Sequence, residues 1–173
     1  THFFVQDETS KSLLATINFT NATIAGDTRF DRVQKLLDAN EKLDFIDEFV
    51  GDSYVLVAGS TWPEDEVQLV EYINKHAKEN EKFILAPHNV KEGQIQELKE
   101  SLEKKTILFT EKDGKALADY QVFIVDTYGI LSKIYAYANV AYVGGGYTKS
   151  GVHNTLEAAT YGLPIVIGPN FKK

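Results

Sequence analysis

The chain has 173 residues, 43% of them apolar and 25% charged, and a net charge of −7 at neutral pH. Those values fit one soluble folded domain and exclude a disordered or fibrous chain and a general nucleic-acid binder. Cysteine is absent, which removes disulfides, thiolate catalysis and cysteine zinc sites together, and no apolar run approaches the ~20 residues of a membrane span. Phe3-Phe4-Val5 opens the chain as a short apolar run, without the basic and apolar regions of a signal peptide. Asp7 is a plausible N-cap for a helix through about Asn18. Ala22 to Gly26 reads as a strand entering a tight turn, and Asp27 opens a helix with Phe30, Val33, Leu36 and Leu37 on one face.

The pattern then repeats. Residues 42–50 form an amphipathic turn or two. Tyr54 to Ala58 is a β-branched run of the kind covered on both faces of a sheet. Gly59-Ser60-Thr61 reads as its exit loop, and Pro63 with Glu64, Asp65 and Glu66 starts a helix, because proline and acids suit a first turn. Phe83 to Ala86, Thr106 to Phe109, Val122 to Val125, Val140 to Val143 and Ile165 to Ile167 are further strands. Helices are expected over 91–104, 130–138 and 154–161. Strands alternating with helices predict an α/β, Rossmann-like, doubly wound parallel sheet in a single domain over 1–173. With no Met in the chain and an end directly after a strand, the domain is expected to be a fragment of a longer enzyme.

In such sheets ligands bind beyond the carboxyl ends of the strands, and the polar residues collect there. The five loops are Gly26-Asp27-Thr28-Arg29, Gly59-Ser60-Thr61, Pro87-His88-Asn89, Asp126-Thr127-Tyr128-Gly129 and Gly144 to Glu157. Gly144-Gly145-Gly146 is not a dinucleotide fingerprint; it is either a tight turn or a close backbone approach to a ligand, and the neighbouring Ser150-Gly151 and His153-Asn154 favour the ligand. Bare amides and a helix N-terminus at that point suit a phosphate. Asn154 is a favoured N-cap. Glu157, three residues on, either closes a capping box with it or accepts from a ribose diol. Asp126 either caps a helix or helps meet a phosphate or base. Arg29 opposes the dipole of the helix it starts, so either Asp27 or Asp31 pairs with it or it faces an anion. Trp62 either packs on the rim or stacks on a base. The four histidines show no zinc spacing, and no nucleophile–base–orienter set is visible.

Taken with GDTRFDRV, LVAGSTWPEDE, ILAPHNV and the block VDTYGILSKIYAYANVAYVGGGYTKSGVHNTLEAATYGLPIVIGP, the chain resembles the C-terminal, donor-binding domain of bacterial 3-deoxy-D-manno-oct-2-ulosonic acid (Kdo) transferases, one half of a GT-B fold. The resemblance implies transfer of Kdo from CMP-Kdo to a lipid A precursor in lipopolysaccharide biosynthesis, with inversion and without a metal or other cofactor. In the family a Pro-Arg pair, a Met-Gly-Glu turn and an Asn-x-x-Glu helix start hold the cytidylate. Those places fall here on Pro87 and His88, on Tyr128, Gly129 and Ile130, and on Asn154, Thr155, Leu156 and Glu157. Arg29 takes the place of a basic transition-state stabiliser. His88 for Arg and Ile130 for Glu are departures from the pattern. The general base and the membrane-associating surface belong to an N-terminal acceptor domain outside this chain. The implied setting is therefore the cytoplasmic side of the inner membrane, with this piece soluble and inactive alone. A different GT-B enzyme, such as a UDP-N-acetylglucosamine 2-epimerase or UDP-sugar transferase, and a non-catalytic nucleotide-binding module are the alternatives.

Overall fold

The computed structural model describes residues 1–27 and 42–171. The chain divides into two compact units, Thr1–Asn40 and Glu41–Lys173, where the sequence alone points to one domain. In the first unit β1 (Phe3–Val5) and β2 (Ala22–Ile24) pair in parallel, Phe3 opposite Ala22 and Val5 opposite Ile24, joined by α1 (Glu8–Thr16). Asp7 caps α1 as expected, its Oδ1 accepting from the Ser10 amide at 2.7 Å. Phe3 and Phe19 meet edge to face at 5.0 Å. The helix expected after Asp27, with Phe30, Val33, Leu36, Leu37 and Arg29, lies outside the described residues.

The second unit carries α2 (Asp44–Val50), β3 (Tyr54–Thr61), α3 (Pro63–His76), β4 (Glu81–Pro87), α4 (Glu92–Ser101), β5 (Thr106–Leu108), β6 (Val122–Ile124), α5 (Leu131–Ile134), β7 (Val140–Val143), α6 (Leu156–Ala159) and β8 (Ile165–Ile167). Six strands form one parallel sheet in the order β5-β6-β4-β3-β7-β8. Alternate residues along each central strand pack to opposite faces. Val55, Val57, Ile84 and Phe123 join Ile46 and Phe49 of α2 and Ile134 of α5 on one side. Ala58, Phe83, Leu85, Val122 and Ile124 join Leu69 and Ile73 of α3 and Ile95 and Leu98 of α4 on the other. A sheet buried on both faces explains the unbroken apolar runs, and this is the doubly wound α/β arrangement expected.

Three elements depart from expectation. β3 runs on through Gly59-Ser60-Thr61, which the sequence places in a loop. The extension holds because Thr61 pairs with Pro87 across a register shift, with Ser60 at φ +54. The helix expected over 130–138 is a single α turn followed by a 3-10 turn, Tyr135–Tyr137, and that expected over 154–161 is only the four residues of α6. Among the described residues no helix is long and apolar enough to cross a membrane.

Candidate functional site

The chain order reverses between β3 and β7: from β3 the chain builds outward through β4, then crosses back to lay β7 on β3's other side. A doubly wound sheet opens its crevice at such a point. The exits of β3 and β7 are in close contact there. The Gly144 amide donates to Gly59 O at 2.9 Å, and a Cβ on Gly144 would run into the Ser60 carbonyl and come within 2.7 Å of Thr61 Cα.

The triple glycine is therefore required by packing, as the tight-turn alternative expects. A Cβ on Gly145, at φ +92, would meet Gly151 O at 2.6 Å, and one on Gly146 would meet Gly168 at 2.6 Å. All three glycines are buried. Two of their amides are already used, Gly144's by Gly59 and Gly145's by the carboxylate of Asp65, at 2.8 Å.

Asp65 is the polar centre of this crossing and a residue that sequence reasoning assigned only to a helix's first turn. It is fully buried. Oδ2 accepts from the Gly145 amide and, at 2.9 Å, from the Trp62 amide, while Oδ1 accepts from the Tyr142 hydroxyl at 2.6 Å. Burial, reinforced by this bond to Asp65, pushes the Tyr142 phenol far above its ordinary value. The spacing to Trp62 is the three-residue reach of a capping acid and was legible in the sequence; the bonds to β7 were not. Beside it, Thr61 Oγ1 donates to Glu66 Oε1 at 2.8 Å.

Three rings from three strand exits meet over this point. Trp62 Nε1 donates to His153 Nε2 at 2.7 Å, and the two ring planes are within 3° of parallel. His88 stacks across both, 4.9 Å from Trp62 and 4.5 Å from His153. Its amide donates to Thr61 O at 2.8 Å, tying the β4 exit to the β3 exit. Pro87 ends β4. The structure thus brings His88 to His153 and its neighbour Asn154, a meeting the sequence did not place.

At α6 the N-cap is Thr155, which makes no side-chain cap bond, so the N-cap role expected of Asn154 is corrected: Asn154 sits one residue earlier, and its Oδ1 accepts from the Leu156 amide at 3.1 Å across a local turn. The capping-box alternative for Glu157 is not formed: among the described residues no hydrogen bond reaches its carboxylate. Glu157 is half-buried. Tyr135 and Tyr161 are both held above their ordinary values, first by burial and then by the Glu157 charge, which places that charge beside two phenols. Four residues of helix develop little macrodipole, so anion affinity here has to come from side chains and loop amides rather than from a helix end.

Tyr128, Gly129 and Ile130 follow β6, next to β4. The Tyr128 ring is exposed and its hydroxyl accepts from the Val90 amide at 3.0 Å. Gly129 has φ +92 and no atom near its missing Cβ, so glycine serves the turn itself. Ile130 packs on the core. Asp126 does not cap α5: it accepts from the Thr110 amide at 3.0 Å and the Thr110 hydroxyl at 2.5 Å. Arg29 lies outside the described residues. A groove of about 540 Å³ between α3 and α4, lined by Val67, Val70 and Leu98, contains none of the expected residues. Among the described residues no three His, Cys, Asp or Glu side chains are grouped to hold a metal.

Comparison with known proteins adds the decisive observation. No family model matches the chain. A 3-deoxy-D-manno-octulosonic acid transferase of Rickettsia typhi is 29% identical over 174 residues, 98% of this chain and 37% of that protein. The chain is a relative of the Kdo transferases. The transferase of Aquifex aeolicus is 33% identical over 118 residues, 66% of the chain and 31% of the relative. The chain thus spans well under half the length of these Kdo transferases. The crystal structure of the C-terminal CMP-Kdo binding domain of WaaA from Acinetobacter baumannii matches with a TM-score of 0.60 and 23% identity, over 82% of this chain and 72% of that one. That likeness concerns the fold, and it agrees with a Rossmann-like half of a GT-B enzyme.

Proposed function

We propose that this chain is the donor-binding part of a glycosyltransferase that moves Kdo from CMP-Kdo to a lipid A precursor. One observation carries the reading: sequence similarity to Kdo transferases over 98% of the chain. Glu157 supports it, because a carboxylate that no described residue hydrogen-bonds can accept from both hydroxyls of a ribose. Asn154 holds the turn that presents Glu157, and Pro87-His88 and Tyr128-Gly129-Ile130 form the neighbouring exits on the same rim.

In this reading the acceptor hydroxyl attacks the anomeric carbon of Kdo. Its proton passes to a glutamate of an N-terminal acceptor domain, the bond to the CMP phosphate oxygen breaks with inversion, and the electron pair leaves on the phosphate. Loop amides near Gly129 and Asn154 offset that charge, each by at most a few kcal/mol, as fixed donors do, and the family resemblance gives Arg29 the role of a basic stabiliser. With fixed donors in that role the transfer needs no metal. The acceptor meets the whole enzyme at the cytoplasmic face of the inner membrane. This chain alone binds donor weakly and turns none over.

Calorimetry of the 173-residue chain with CMP and UMP tests the reading. CMP binds more tightly, and Glu157→Ala weakens it by about tenfold or more, the worth of hydrogen bonds to a charged group. A preference for UMP, or a Glu157→Ala chain with undiminished CMP affinity, overturns it.

A further inference from the structure

The bond between Trp62 and His153 determines more than the stacking of two rings. An indole Nε1–H is a donor only. At 2.7 Å from His153 Nε2 it requires a lone pair there, so the ring proton sits on Nδ1. A second proton on Nε2 would set two donors face to face. The 3° angle between the rings is what an in-plane N–H···N bond needs. Trp62 is itself held on both sides: its amide donates to buried Asp65, and Pro63 follows with its φ fixed. Among the contacts that hold His153 are Trp62, through the side chain, and Gly144 O, which accepts from its amide at 2.9 Å.

We propose that Trp62 is a positioning residue of the nucleotide site: it holds His153 in one ring plane as the neutral Nδ1–H tautomer and thereby fixes the start of the Asn154–Glu157 segment. The functional half of this rests on the donor reading above; the tautomer is a property of the free protein. In this arrangement His153 acts as an anchor that accepts from the indole, and the carboxylate four residues later is presented in one orientation because its entry is pinned. Trp62 touches no reacting atom.

The test reads the two halves separately on the 173-residue chain. Nitrogen NMR of the imidazoles without ligand reports the tautomer, and calorimetry with CMP reports the site. Wild type shows His153 with a bare Nε2 and a protonated Nδ1. Trp62→Phe, which keeps a ring against His88 and removes the donor, loses that signature and binds CMP about tenfold more weakly. His153→Gln, whose side-chain oxygen can accept the indole N–H, keeps wild-type affinity, while His153→Leu does not; this pair decides the matter should Trp62→Phe fail to fold. A wild-type His153 protonated on Nε2 overturns the lock. Locked His153 with equal CMP affinity in wild type, Trp62→Phe and His153→Leu overturns the positioning role. Locked His153 in a wild-type chain that binds no CMP sinks the donor reading and the role with it, and leaves the tautomer standing.

Discussion

At the scale of single residues the buried carboxylate of Asp65 carries the most structural consequence. Two backbone amides and a phenol donate to it from two different elements, so its removal strands three donors in a dry place, each costing about 1–3 kcal/mol. Asp65→Ala is expected to lower stability by about 3–5 kcal/mol, in the upper tail of single substitutions. Asp65→Asn should cost far less. Its oxygen can face the two amides while its NH2 donates to the Tyr142 oxygen, which then turns its own proton away. Urea denaturation of the two variants checks this, and equal losses would mean that charge rather than donor satisfaction is what matters. Glu157 is the opposite case: a half-buried carboxylate with no donor among the described residues, beside two phenols whose ionisation it opposes. Its acceptor positions are therefore open among the described residues, and that is the physical argument behind the ribose reading of Glu157.

At the scale of elements, the junction of β3 and α3 explains why the site is where it is. β3 continues to Thr61, and its last residues adopt a register shift and a positive φ at Ser60, strain that persists only where the surroundings impose it. Here the imposing partner is β7's exit, whose Gly144 leaves room for the Ser60 carbonyl. The same junction half-buries Glu66, whose carboxyl is raised above its ordinary value of 4.5, first by loss of solvent and against the opposing Thr61 hydrogen bond. A raised carboxyl binds its proton more tightly in the folded chain than in the unfolded one. Its ionised form therefore costs stability at neutral pH, and that cost disappears as pH falls through the folded value and below 4.5. Glu66→Gln, which can still accept from Thr61, should be more stable than wild type at pH 7, and the advantage should shrink towards pH 4. Urea midpoints at the two pH values measure it; an advantage that is constant or grows on acidification contradicts the sign.

For the whole molecule, the sheet order places the exits of β3, β4 and β7 side by side, and residues 62, 88 and 153 meet only because of that order. Binding at such a crevice is linked to folding. A ligand that binds only the folded chain adds about 2.7 kcal/mol at a hundred times its dissociation constant. CMP should therefore raise the unfolding temperature of the wild-type chain in a concentration-dependent way, and Glu157→Ala should show a smaller rise at the same concentration. Equal rises in the two would separate CMP binding from Glu157.

The sequence by itself determined the alternation of strands and helices, the parallel sheet, Asp7 as a cap, and the family resemblance. Those signals are local: apolar periodicity, turn residues and short motifs are set by neighbours along the chain. The tertiary structure alone decided that the glycine run packs against the exits of β3 and β8, that Asp65 ties α3 to β7, that Asp126 serves Thr110, and that Trp62, His88 and His153 share one cluster of rings. It also decided the lengths of α5 and α6 and the division at residue 40. Each of these depends on contacts between residues far apart in the chain, and a strand's neighbours are fixed by which faces pack together, which no local pattern encodes.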